Sequence, residues 1–401
     1  MPSLRLLGLA LATTGGLVLE NGSVRIGPGG YPRGLELRDA TREQARDQAR
    51  DAARTMLVCA GGGAAGIVVY RGHRTGASDG DGVGDTGIWT GWAPIGVVSS
   101  DARPGSDVSN CVLHQQPTGE LLAAYRHHTG CGPAGRSPTP TPRPSRPGVC
   151  TDYTLRVSVS DDRGVSWQPR STVVQGTIGM WEPAFFQLGS GLAVAYSQEL
   201  SNGGLQSIVW KVSGDAGRSW GPVAVLSDGR QHDSRDGMPG LTRLRDGSVL
   251  LVFEGFWRHG WGRFSVQIRR SFDDGASWDA GNVIFAPSNA SHNAGAPQIA
   301  VGSGGNGTEV VFVSFMTDED AIEVSWPGDA SSKVMVGAAP APGQAFPAFD
   351  VPGRETMVPG PGAMWPGLVP LSDGGVFATV GKGGSYLIGP LRPKTGWGSL
   401  L

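Results

Sequence analysis

Two glutamates carry the clearest chemical signal in this chain. Glu182 opens an apolar run in Trp181-Glu182-Pro183, and Glu254 closes another, Ser248-Val-Leu-Leu-Val-Phe-Glu254. A pair of carboxyl groups flanking one bond is what acid/base cleavage of a glycosidic linkage requires. One must be protonated to donate to the leaving oxygen, and the other ionised to attack the anomeric carbon or to activate water. Burial, or the charge of one on the other, would keep the first protonated. The plain alternative is that each glutamate pairs with an arginine such as Arg126 or Arg235. Trp257 and Trp261 follow Glu254 closely and could stack on a sugar face or pack within the fold. His127 and His128 are adjacent, so they cannot chelate one metal together, and no metal or organic cofactor is expected.

The elements that must position these residues come from a repeat. The pattern S-x-D-x-G-x-S-W occurs at Ser160–Trp167, Ser213–Trp220 and Ser271–Trp278, with starts 53 and then 58 residues apart. It has the chemistry of a β-turn: Asp binds the turn backbone, Gly takes positive φ, and Trp packs the hairpin on its neighbour. A strand-rich repeat of this period predicts a propeller. The flanking hairpins divide the chain into six antiparallel four-stranded units, so the expected fold is an all-β, six-bladed β-propeller. A blade's first strand starts, and its second ends, on the same rim of the central axis. That rim collects Arg33, Asn110, Arg126, Glu199, Arg235 and Asp236 beside Glu182 and Glu254, while the repeated turns fall on the opposite rim. Of these, Arg33, Asn110, Arg126, Arg235, Asp236 and Trp257 are the candidate substrate-binding residues.

Composition agrees. The 401 residues include 65 Gly and 29 Pro, close to twice the usual share of turn formers. Only 17% are charged and the net charge is −2, which excludes long-helix and disordered classes and gives no reason to expect nucleic acid. Residues 1–19 have one positive charge, a short apolar run and Ala10-Leu-Ala12, as a secretory leader does; the alternative is a first strand. No stretch is long enough for a membrane span. The sequons at Asn21, Asn289 and Asn306 also point to secretion. Four cysteines allow three pairings, and Cys131 with Cys150, flanking a Pro-rich stretch, is the preferred one; buried free thiols are the alternative. The mature domain is expected to span 20–401, with surface insertions at 40–54 and 132–149.

The three repeated turns match the Asp-box motif, so the chain resembles the sialidase-type β-propeller superfamily, in which such turns are structural. Trp181-Glu182-Pro183, and Val252-Phe253-Glu254 following Arg235-Asp-Gly-Met238, resemble the fungal exo-arabinanases of glycoside hydrolase family 93 over most of the chain. That resemblance implies a secreted, retaining, exo-acting enzyme on α-1,5-linked arabinan, with Glu182 as general acid/base and Glu254 as nucleophile. It implies a polysaccharide or oligosaccharide substrate, no cofactor, no nucleic acid or membrane partner, and action as a monomer. The family also uses a pocket tyrosine near the later blades, for which Tyr386 is a poor match. Tyr31-Pro32-Arg33 resembles the first-arginine motif of sialidases, so an exo-sialidase using Arg33, Arg126 and Arg235 is an alternative. A non-catalytic carbohydrate-binding propeller is another.

Overall fold

The computed structural model describes residues 17–19, 22–38, 54–61, 66–74, 89–132, 150–200, 204–231, 233–257, 262–304, 307–322, 324–339 and 355–393. Most of the leader-like segment and almost all of both expected insertions lie outside them. The strands follow in order. β1 (Leu17–Leu19) and β2 (Ser23–Gly27) precede blade one, which comprises β3 (Gly30–Glu36), β4 (Arg54–Gly61), β5 (Ile67–Arg74) and β6 (Trp89–Ser99). Blade two is β7 (Asp107–Gln115), β8 (Leu121–His128), β9 (Tyr153–Ser160) and β10 (Gln168–Gly176). Blade three is β11 (Met180–Leu188), β12 (Gly191–Glu199), β13 (Gln206–Ser213) and β14 (Ala224–Ser227). Blade four is β15 (Ser234–Arg243), β16 (Val249–Trp257), β17 (Phe264–Ser271) and β18 (Asn282–Phe285). Blade five is β19 (Ala294–Ser303), β20 (Glu309–Thr317), β21 (Ser331–Ala338) and β22 (Glu355–Val358). Blade six is β23 (Met364–Pro370), β24 (Val376–Gly381) and β25 (Ser385–Pro393).

Neighbouring strands within each blade are antiparallel, and blade six is completed from the other end of the chain, where β1 and β2 pair with β25. The fold is the expected six-bladed β-propeller. Residues 17–19, placed in the leader by sequence, thus form a strand, and Arg54, placed in the first insertion, opens β4. Cys131 and Cys150 form a disulfide, while Cys59 and Cys111 are buried free thiols.

The second strand of each blade is apolar on both faces because each face meets a different neighbour. In β16, Val249, Leu251 and Phe253 pack toward blade three, and Leu250 and Val252 toward blade five. The alternation of side chains along a strand makes this a period-two division. The same division in β4 sends Met56, Val58 and Ala60 to blade six, and Leu57 and Cys59 to blade two. Six such interfaces close the ring, and each fully buried aliphatic side chain contributes about 1.5–3 kcal/mol.

The repeated turns join third to fourth strands. In the second, both Asp215 oxygens are engaged: Oδ1 accepts from the Ser219 N–H at 2.8 Å and the Ser213 hydroxyl at 2.7 Å, and Oδ2 from the Ser219 hydroxyl at 2.6 Å. The residue before each turn glycine is also left-handed: Arg163, Ala216 and Asp274. These bonds hold the three aspartates well below the usual carboxylate range, Asp162 and Asp273 to about 2.

Candidate active site

At the opposite rim every blade carries one left-handed residue near the start of its first strand: Tyr31, Asn110, Glu182, Met238, Ala296 and Trp365, with φ between 44 and 54°. Each lies in a bulge where pairing with the second strand slips, and each except Asn110 is followed by proline. A bulge leaves a residue unpaired, so proline's missing N–H costs nothing there. A non-glycine residue in this region costs on the order of 1–3 kcal/mol and persists only where its surroundings over-determine it.

The surroundings here are hydrogen bonds between blades. In three blades the second-strand residue paired with the residue just before the bulge reaches the N–H of the next blade's left-handed residue. The Ser197 hydroxyl accepts from Met238 N–H at 2.9 Å, a Glu254 oxygen from Ala296 N–H at 2.9 Å, and the Met316 sulfur from Trp365 N–H at 3.4 Å. Glu254 continues the β16 series Leu250, Val252 that faces blade five, so strand periodicity alone aims it at Ala296. A Cβ on Gly295 would collide with its carboxylate, so the glycine there leaves room for Glu254.

Glu182 and Glu254 therefore stand on adjacent blades, close enough that the charge of Glu254 acts on Glu182. Burial raises Glu182 to about 7, against the opposing charges of Arg126 and Arg235 and a hydrogen bond from Ser197. Burial also raises Glu254, while the Ala296 N–H and the charge of Arg235 favour its ionised form. Neither glutamate forms an ion pair among the described residues. The arginine proposed as partner, Arg126, instead pairs with Asp107 at 2.7 Å and lies 5.3 Å from the Trp181 ring. Arg235 acts on both carboxylates through its charge alone.

The other candidates are placed as follows. Asn110 is the buried ring residue of blade two. Arg33 is buried, stacks on Tyr31 at 3.9 Å, and donates to the carbonyls of Pro32 and Trp365 at 3.0 Å each. Asp236 is buried and accepts from the Ser227 and Ser234 hydroxyls at 2.6 Å each. Trp257 ends β16, and its side chain lies outside the described residues. No group of three or more potential metal ligands is present among the described residues. A separate cavity of about 400 Å³, lined by Arg263 and residues 283–288, takes in neither glutamate.

Sequence reasoning missed four of the six ring residues. Tyr31, Met238 and Ala296 cluster with Met316 and Ala330, and Trp326 and Trp365 pack against them. The ring thus carries charged groups on blades two to four and an apolar, aromatic cluster built mainly from blades five, six and one. Tyr31 adjoins both: burial pushes its phenol up to about 12, and the charges of Arg33 and Glu182 act on it in opposite directions. The signal was in the sequence, as five X-Pro pairs near first-strand starts, a position where proline marks a bulge or an edge.

No family model matches the chain, and no curated protein does. Solved structures do. An α-L-arabinanase of Penicillium chrysogenum complexed with arabinobiose is 17% identical, with a TM-score of 0.57 over 93% of this chain and 98% of that one. The GH93 α-L-arabinofuranosidase of Fusarium graminearum with arabinobiose is also 17% identical, with a TM-score of 0.56 over 95% and 97%. A leech intramolecular trans-sialidase is 12% identical, with a TM-score of 0.52 over 91% and 67%. At these identities the likeness is one of fold.

Proposed function

We propose that this chain is a secreted, monomeric, exo-acting glycoside hydrolase that cleaves α-1,5-linked arabinan with retention. The observation that carries the reading is the pair of glutamates from adjacent blades, close enough for the charge of one to act on the other and without an ion-pair partner among the described residues. Two structural neighbours bound to arabinobiose support the substrate class. The leader-like N-terminus and the Cys131–Cys150 disulfide support secretion.

In this mechanism Glu182, protonated below about pH 7, donates to the departing sugar oxygen. Glu254 has one oxygen held by the Ala296 N–H and attacks the anomeric carbon with the other. The departing oxygen takes the Glu182 proton as the glycosyl–Glu254 bond forms. Water then displaces Glu254, giving its proton back to Glu182. The Tyr31–Trp365 side offers an apolar wall for the sugar's carbon face.

Purified protein should release short arabino-oligosaccharides from the ends of linear arabinan and leave a fluorogenic sialoside intact. Cleavage of the sialoside alone would sink the reading. Azide should rescue both alanine variants, giving a glycosyl azide of inverted configuration with Glu254→Ala and of retained configuration with Glu182→Ala. The reverse pattern would exchange the two roles. One observation favours the sialidase reading: Tyr31, a tyrosine, stands beside a glutamate and an arginine. Against it, Arg126 is engaged by Asp107 and Arg33 by backbone carbonyls, which leaves a poor three-arginine clamp for a carboxylate.

A further inference from the structure

The blade-two bulge lacks both devices that hold the others. Proline follows the left-handed residue in five blades, but Asn110 is followed by Cys111. In the preceding blade, the position that caps the next bulge through its side chain in blades three, four and five is Gly61, which has no side chain to offer. Blade one is the instructive control, since its capping position is also a glycine, Gly381, yet Pro32 is present. Asn110 therefore holds a costly backbone conformation with neither support. What it has instead is sulfur. Cys59, two residues before Gly61 on β4, faces blade two by strand alternation and packs in one cluster with Cys111. Both thiols are buried and free. A Cβ on Gly61 would lie 3.3 Å from the Ser109 Cα, so two residues further along these strands Cys59 stands opposite Cys111, whose thiol donates to the Val112 carbonyl at 3.8 Å.

We propose that Cys59 and Cys111 form a redox-active pair whose disulfide ties blade one to blade two and fixes the Asn110 bulge in place of the missing proline. The chemistry is thiol–disulfide exchange with a low-molecular-weight disulfide such as oxidised glutathione. One cysteine thiolate attacks that disulfide and expels one small thiolate, leaving a mixed disulfide. The second cysteine thiolate attacks the mixed disulfide and expels the other. Two electrons pass from the cysteines to the small disulfide, and their two protons end on the two released thiols. Both sulfurs are shielded once blades one and two have closed, so the exchange belongs to the folding chain. The existing Cys131–Cys150 bridge places the protein among chains that meet such an oxidant. The inference is independent of the reaction proposed above.

The test refolds the full chain in a mixture of oxidised and reduced glutathione, then denatures it, titrates thiols and maps alkylated peptides. The expected result is no free thiol and a cross-linked peptide pair joining Cys59 to Cys111. Two titratable thiols, with both cysteines alkylated and the Cys131–Cys150 bridge intact, would overturn the proposal. A variant series separates a covalent tie from ordinary packing. Cys111→Ala and Cys59→Ala should each lower Tm by several degrees relative to the oxidised protein, and Cys111→Pro should recover part of that loss. If Cys59→Ala melts with the oxidised wild type, the tie does not hold the bulge.

Discussion

The two rims of this propeller are repeated in opposite senses. On one rim the S-x-D-x-G-x-S-W turns repeat in sequence, because their side chains are consumed by their own backbone: Asp162, Asp215 and Asp273 each bind the serine and N–H groups of the same turn. On the other rim the backbone repeats and the side chains do not. Six left-handed residues in six equivalent bulges are Tyr, Asn, Glu, Met, Ala and Trp. The first arrangement makes a scaffold legible and leaves nothing free for a ligand. The second supplies a constant geometry on which each blade carries a different side chain. Glu254 shows how closely the two uses meet, since it fills the capping role that Ser197 and Met316 play elsewhere and keeps a second oxygen for chemistry.

Substitutions can break this contrast, and the largest effect is expected at the two glutamates. Glu182→Gln and Glu254→Gln should each lower kcat on arabinan by about 10²–10⁴-fold. Glu182→Gln should also raise Tm at pH 8 and change it little at pH 4. The reason is that the folded-state pKa of Glu182 is raised to about 7, so its stabilising protonation is complete below the unfolded value and is lost as pH rises through 7. Relief of that cost at high pH is on the order of 3 kcal/mol. Full activity in either glutamine variant would remove that glutamate from the comparison.

Next is Gly295→Ala, which must displace the Glu254 carboxylate. It should cost roughly 10²-fold in kcat with little change in KM, read by steady-state kinetics on an arabino-oligosaccharide. Unchanged kcat would mean that Glu254 has room to move without consequence.

On the opposite rim, Asp215→Ala should lower Tm by several degrees and leave kcat/KM untouched. Its effect should depend on acid. The aspartate's folded pKa lies below its unfolded value, so its stabilisation is full above about pH 4 and fades as pH falls further. A thermal melt series from pH 7 to pH 3 should therefore see the gap between wild type and variant narrow, without closing, at the acid end. A loss of kcat at constant stability would show that the turns reach the glutamates.

The smallest effect is a shift. Arg235→Gln removes a positive charge that favours ionisation of both glutamates, so both limbs of the pH profile of kcat/KM should move to higher pH. Movement to lower pH would contradict the placement of Arg235.

Much of the scaffold was legible because it is written in local chemistry. Each repeated turn is closed by residues within eight positions of one another, and second strands announce themselves by continuous apolar runs such as Val249–Phe253. Glu182 and Glu254 were legible as charges at the ends of such runs. Tyr31, Met238, Ala296 and Trp365 were not, since each resembles an ordinary core residue until the bulges gather them into one cluster. Arg126 and Arg235 show the same limit: both act on Glu182 through their charge, but that one is bound to Asp107 while the other also acts on Glu254 could not be read from spacing.

The sequence by itself determined the strands, the turns between them and the number of blades, because these follow from periodicity and from turn residues a few positions apart. Only the tertiary structure decided which side chains meet and in what state. Those depend on contacts between residues far apart in the chain: Glu254 with Ala296, Arg33 with Trp365, Cys59 with Cys111. Burial and the field of neighbouring charges exist only after the ring has closed, and they set the proton on Glu182.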